Sequence, residues 1–299
     1  MARVSFYSKK STNDRFNLWS ALPHLPDWLM PLSRAERAAD LYLVPERHVA
    51  PPALPEPAGG MVLAVPGMVP HLNARLWGAE RVVAPLILLA HDWEGQIQDM
   101  MPLIIALTDA GARVVAFDAP AHGRSGGDIC HVLAMAAAVK AVAKAAGGPV
   151  DLAIGHGLGA SAMVAAMADG FQPGRVALLA PMADVRWPVQ QIAQVLHLTE
   201  TEQAAMLQRI DQALGQPLHG LTLHPPVGTV LGLLIHSSDD RVAPVADALH
   251  LAAFWPGMRR HLVDGLGHRR LLADRAVADL IIRFAFDGQG SVDRHADLG

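Results

Sequence analysis

From residue 61 onward, short apolar runs alternate with longer stretches in which apolar side chains recur every three or four positions. The short runs read as strands and the longer patterns as helices. Strands are expected at 61–65, 86–90, 113–117, 150–154, 176–180, 230–235 and 260–263, with a short additional one at 75–77. Helices are expected at 97–109, 129–146, 158–168, 245–254 and 270–284. Gly111 and the pair Gly147-Gly148 stand just past helix ends, where glycine stops a helix. Strand-helix alternation of this kind predicts an α/β class chain, a mostly parallel, doubly wound sheet of about eight strands with helices on both faces.

Two regions break the alternation. Before residue 61, a helix is expected at 33–43 and a proline-rich extended linker at 45–57. Between the strands ending at 180 and starting at 230 lies more chain than one crossover needs. There Thr199 and Glu202 form the capping pattern T-x-x-E, and Met206, Leu207, Ile210 and Leu214 follow at helical spacing. This predicts a small helical cap over the carboxyl ends of the strands, where open α/β sheets bind ligands. The expected organisation is an N-terminal extension and linker over 1–60, a core over 61–182 and 227–287, a cap insertion over 183–226 and a tail over 288–299.

Composition narrows the partners. The chain has 299 residues, 52% of them hydrophobic, enough for a large core, and a net charge of -4 gives no basic footprint for nucleic acid. A small apolar molecule is the expected partner. Cys130 is the single cysteine, so an intrachain disulfide is excluded, and its apolar setting assigns it to the core. Residues 1–15 are polar and charged, without the apolar stretch of a signal peptide, so a cytoplasmic location is expected. Leu18, Trp19, Leu22, Leu25, Trp28 and Leu29 make 16–32 apolar, but Pro23, Pro26 and Pro31 interrupt it. Packing against the main domain is favoured there, with a homodimer contact or an interfacial membrane contact as lesser readings.

The chemistry centres on Gly155-His156-Gly157-Leu158-Gly159, between an apolar strand and the small-residue helix beginning at 158. Small residues flanking a central position allow the sharp strand-to-helix elbow that holds a nucleophile above a sheet. Here the central residue is Gly157, which has no atom with which to attack. Downstream, the loop 236–244 carries Asp239 and Asp240, and the loop 265–271 carries His268. A loop carboxylate followed by a loop histidine fits an acid that fixes the imidazole tautomer. Asp240 and His268 are the choice, with Asp239 competing and Asp184 a remote third. A hydrogen-bonded loop staple with no reaction is the bland alternative.

Two further loops give these features a family. His91-Asp92-Trp93-Glu94-Gly95 follows the strand at 86–90, and Phe117-Asp118-Ala119-Pro120-Ala121-His122-Gly123-Arg124-Ser125 follows the strand at 113–117. The first resembles the His-Gly oxyanion loop, and the second the D-x-x-G-x-G-x-S loop, of bacterial esterase- and lipase-like members of the α/β-hydrolase fold. The resemblance spans roughly 61–285, and the spacing of Asp240 to Pro244 fits the family's D-x-x-x-P run. It implies a catalytic set at the position of Gly157, Asp240 and His268, and an oxyanion hole built from the backbone amides of Trp93 and Leu158. His91, Asp92 and His156 would line the loops around it. Asp92 departs from the family's glycine; it reads either as added negative charge beside the oxyanion site or as a cap on the next helix.

Ser125, Ser161, Ser237 and Ser238 are expected to pack or cap, since none stands at the elbow tip. The 15 histidines include no H-E-x-x-H or close Cys/His cluster, so neither a metal nor another cofactor is expected. Gly155-x-Gly157 begins a dinucleotide fingerprint that Ala160 breaks. Three functions stay open: a serine-hydrolase lineage acting on an ester or related acyl bond, a non-catalytic relative binding an apolar molecule or partner, and slow water-mediated hydrolysis driven by His268.

Overall fold

The computed structural model describes residues 32–47, 54–68, 70–223 and 230–287. The apolar segment 16–31, part of the linker and the tail 288–299 lie outside the described residues. In chain order the elements are α1 (Arg34–Leu43), β1 (Met61–Val62), β2 (Ala74–Trp77), β3 (Leu86–Ala90), α2 (Met101–Asp109), β4 (Arg113–Phe117), α3 (Val132–Ala145), β5 (Leu152–His156), α4 (Leu158–Ala168), β6 (Arg175–Leu179), α5 (Trp187–Val195), α6 (Glu200–Leu214), β7 (Leu231–Ser237), α7 (Val245–Ala253), β8 (Met258–Val263) and α8 (Arg275–Phe286). Short 3-10 turns cover Ile97–Met100, Leu218–Gly220 and Arg270–Ala273. None of the described helices is long and apolar enough to cross a membrane.

The eight strands form one sheet in the order β1-β2-β4-β3-β5-β6-β7-β8. β2 pairs antiparallel with β1 and β4, and every other pairing is parallel. This is an α/β-hydrolase sheet. Period-two alternation divides its central strands between two cores. Leu86, Leu88, Ala90, Val115 and Phe117 face a core under α3 and α4. Ile87, Leu89, Val114 and Ala116 face a second core under α2 and α8. Both faces are dry, so these strands are apolar at every position, and truncating a central leucine such as Leu88 to alanine costs about 2–5 kcal/mol.

The expected elements are present, with shifted ends. The strand read at 61–65 is reduced to Met61–Val62, exposed at the sheet edge and followed by a turn at Pro66-Gly67. The strand read at 150–154 runs over Leu152–His156, two residues closer to the elbow. The helix read at 97–109 divides where Pro102 enters the first turn of α2. That read at 270–284 divides at Asp274, whose carboxylate caps α8 by accepting from the Val277 amide at 3.0 Å.

Between β6 and β7, α5 and α6 form the roof, and α6 starts at the Thr199/Glu202 capping box. The N-terminal helix α1 joins them. Arg34 on α1 donates to both oxygens of Glu202 at 2.9 and 3.1 Å, and Arg209 on α6 donates to Asp40 at 2.9 Å. Ala35, Ala38, Ala39 and Leu43 bury the inner face of α1 in the same core as Ile192, Met206 and Ile210. The roof is therefore made from both sides of the core sequence.

Candidate functional site

The elbow is set by what its glycines touch. A Cβ on Gly155 would collide with the backbone of Ala160, and one on Gly159 with the carbonyls of Ala90 and His91. β5 and α4 can approach so closely only without those atoms. Gly157 itself holds φ +54° and ψ -119°, and its amide donates to the Leu179 carbonyl at 2.9 Å. Strain of this kind is tolerated by any residue only at a cost, and glycine removes it.

The space above Gly157 is filled by Asp92, from the loop after β3. A Cβ built on residue 157 would lie inside 3.0 Å of Oδ1, Oδ2 and Cγ of Asp92, separations that real Cβ atoms do not show. The Asp92 carboxylate thus occupies the volume where an elbow side chain would stand. Its Oδ1 accepts the Leu158 amide at 2.7 Å. Asp92 does cap a helix, but α4 rather than the one that follows it in sequence; at the next turn the Ile97 amide is held by Asp118 at 2.8 Å. The Leu158 amide, expected as an oxyanion donor, is engaged by the Asp92 carboxylate.

Asp92 Oδ2 lies 3.0 Å from His268 Nε2, and His268 Nδ1 lies 2.8 Å from Asp240 Oδ2. The imidazole is clamped between two carboxylates. Asp240 is fixed in turn by the Val242 and Ala243 amides on Oδ1 at 2.8 and 3.0 Å and by His236 Nε2 at 3.2 Å from Oδ2. Asp239 is turned away, accepting from Ser237 Oγ and the Gly267 amide. Asp184 holds Arg186 instead.

Charge follows from this packing. Burial alone would lower the pKa of His268, but the hydrogen bonds and charges of Asp240 and Asp92 push it up to about 9. Burial alone would raise Asp92 and Asp240; imidazole partners outweigh it and hold both well below the usual carboxylate range. The two carboxylates thus favour the protonated imidazole between them, and the imidazole favours the ionised form of each carboxylate. His156 donates Nε2–H to the His268 carbonyl at 2.9 Å, and burial followed by repulsion from His268 lowers its pKa to about 4.

A second buried layer holds the Asp92 loop. His91 Nδ1–H donates to the Asp92 carbonyl at 2.6 Å, while Nε2 accepts the Ala119 amide at 2.9 Å. Trp93 packs edge-on against His122 with ring centroids 5.3 Å apart. Glu94 adopts φ +54°; one carboxylate oxygen accepts the Glu46 amide at 3.0 Å, and burial pushes its pKa up to about 8. Sequence reasoning passed over Glu94 and His236 as site residues. The serines are engaged elsewhere: Ser161 donates to the Met182 carbonyl, Ser125 to the Asp118 carbonyl and Ser238 to Asp264. Asp92, His156 and His268 also bring one ligand-type atom each within 4.8 Å of one another, a grouping that motif spacing could not reveal because the end of β5 and two separate loops supply it.

Beside Trp93 and Leu158 a cavity of about 30 Å³ opens under the roof, walled by Leu41 and Tyr42 of α1, Val185, and Ile192 of α5. No Asp, Glu, Lys or Arg lines it.

The model of the alpha/beta hydrolase family matches residues 87–280, well over half of the chain. The chain belongs to the α/β-hydrolase family. Solved structures agree at the level of fold. This α/β hydrolase is similar to alpha/beta hydrolase domain-containing protein 10 from mouse, at 19% identity and TM-score 0.58, covering 77% of this chain and 98% of that one. It is similar to a serine hydrolase from Cycloclasticus zankles at 13% identity and TM-score 0.57, covering 78% and 100%. It is also similar to an esterase from Exiguobacterium antarcticum at 15% identity and TM-score 0.56, covering 75% and 98%. No curated protein matches the chain in sequence.

Proposed function

We propose that this α/β hydrolase attacks its substrate with the Asp92 carboxylate, delivered from the β3 loop into the place of the missing elbow side chain. The observation that carries the reading is the overlap of Asp92 with any side chain at 157, together with its bonds to Leu158 and His268. A carboxylate needs no deprotonation, so an imidazolium beside it does not impede the first step. Once Asp92 is esterified its charge is gone, and one of the two carboxylates that raise His268 with it. The Nε2 proton of His268 then passes to solvent more readily, and the freed Nε2 can take one from the attacking water. The Leu158 amide, already on Oδ1, would hold the oxyanion formed when water attacks the Asp92 carboxyl carbon.

Ester cleavage by the serine route has no support, since Gly157 has no hydroxyl and the Leu158 amide is engaged. Direct attack by water fares no better, since both ring nitrogens of His268 are engaged, Nδ1 by Asp240 and Nε2 by Asp92. A closed, non-catalytic relative that binds an apolar molecule is the second reading, favoured by the burial of Asp92 and His268, only 4% and 6% exposed.

The two separate on turnover in ¹⁸O water with a panel of neutral esters, alkyl halides and epoxides, followed by mass analysis of the peptide bearing Asp92. Label in Asp92, and loss of turnover in Asp92→Asn, are expected. Ligand-dependent thermal shifts with no turnover across the panel would leave the closed reading standing.

A further inference from the structure

The geometry points to a site for one borderline divalent cation, Zn²⁺ in the first place, held by Asp92, His156 and His268. The site goes beyond the attack proposed for Asp92 and does not rest on it.

One nitrogen or oxygen from each of the three residues lies within 4.8 Å of the others, and all three residues are buried. His268 Nε2 and Asp92 Oδ2 stand 3.0 Å apart. Ligands about 2.1 Å from a tetrahedral Zn²⁺ lie about 3.4 Å from one another, so the cation replaces that hydrogen bond once the pair opens by about 0.4 Å. Grouped atoms become a site only when something aims them, and each of the three ligands is aimed by a second bond. His268 Nδ1 is held by Asp240 Oδ2 at 2.8 Å, which leaves Nε2 for the cation. His156 donates Nε2–H to the His268 carbonyl at 2.9 Å, a bond that selects the tautomer whose Nδ1 keeps its lone pair. Asp92 Oδ1 accepts the Leu158 amide at 2.7 Å, which leaves Oδ2. Ligating histidines are typically fixed in this way, through the other nitrogen to a carboxylate or a backbone carbonyl, and ligating carboxylates are in turn hydrogen-bonded.

Charge and donor type select the ion. Asp92 and Asp240 flank the His268 ring, and among the described residues their hydrogen bonds come from backbone amides and imidazoles, none from lysine or arginine. Buried charges are paired or coordinate metals, and a dication balances two carboxylates. Two imidazoles with one carboxylate suit Zn²⁺, whereas Mg²⁺ and Ca²⁺ take oxygen ligands. Three protein ligands leave the fourth corner of the tetrahedron to water. Binding uses the Asp92 lone pair on which the proposed attack depends, so the cation-loaded and reacting forms are alternative states of one site.

The test uses the full chain without a polyhistidine tag, stripped with EDTA and titrated with Zn²⁺ by calorimetry, which should give one equivalent bound. Asp240→Asn, which removes only the support of His268, should weaken binding about 10–100-fold. Asp92→Asn, His156→Gln and His268→Gln should weaken it further, and His261→Gln on the exposed strand β8 should leave it unchanged. Circular dichroism checks the fold of each variant. A second measurement needs no variant: zinc-edge X-ray absorption of the loaded wild type should show two imidazoles and one carboxylate oxygen at about 2.0–2.2 Å from the metal. Unchanged affinity in folded His268→Gln and Asp92→Asn, or a spectrum without paired imidazoles, would assign the zinc to surface histidines and overturn the site. Absence of a bound equivalent at micromolar protein would overturn it as well. Labelling of Asp92 in ¹⁸O water is read on the EDTA-stripped protein, so the nucleophile and the cation site fail separately.

Discussion

Asp92 and residue 157 compete for one volume, which makes their substitutions non-additive by an amount the geometry sets. In Gly157→Ala the new Cβ drives the Asp92 carboxylate off the Leu158 amide and away from His268. Breaking a buried charged pair costs about 3–5 kcal/mol, and a non-glycine residue in a sparsely populated backbone region adds roughly 1–3 kcal/mol. Asp92→Gly alone loses the same pair, again about 3–5 kcal/mol. In the double variant the pair can be lost only once and the collision is gone, so only the backbone strain at 157 is added to the Asp92→Gly loss. A double-mutant cycle from urea unfolding at pH 7 should show a coupling of about 3–5 kcal/mol, the double variant being more stable than the sum of singles implies. Additivity within about 0.5 kcal/mol would refute the interlock, because independent sites add to that tolerance.

Two other outcomes follow from the buried charges. His268 is pushed up to about 9 and Glu94 to about 8, so each binds its proton more tightly folded than unfolded. Their contributions are complete below the unfolded values and decline as pH rises through the folded ones; for His268 the loss is about 3 kcal/mol. Asp92 and Asp240 are depressed, so their contribution is lost at the acid end instead. Calorimetry from pH 4 to 10 should give the highest Tm in mildly acidic buffer and a fall between pH 7 and 9.5, and a flat or rising Tm over that window would contradict the clamp. Cys130 is buried and its pKa is pushed up to about 12, so native protein should resist Ellman's reagent for hours and react fully once unfolded.

The sheet was legible in the sequence because its strands are apolar on both faces and end in turn residues, as 86–90 and 113–117 show. So were the elbow frame, Asp240 and His268, each recognisable from a short loop of its own. Asp92 was visible only as a departure from a glycine. Its partners Leu158 and His268 lie 66 and 176 residues away, and no local pattern encodes a contact across that distance. The placement of α1 escaped for the same reason: Arg34 meets Glu202 at a separation of 168 residues. A helix was read at 33–43 and the Thr199/Glu202 capping pattern marked the start of α6, but neither reading could say that the two share a roof.

The interlock of Asp92 with Gly157 also restricts the order in which such a site can arise. Starting from glycine in the loop and serine at the elbow, introducing the aspartate first sets two attacking groups in one space, and removing the serine first leaves none. Glycine with serine and aspartate with glycine are two self-consistent solutions, separated by single-step neighbours that are either strained or inert. A library that varies positions 92 and 157 one at a time will therefore find only losses, whereas one that varies them jointly can cross from one nucleophile to the other.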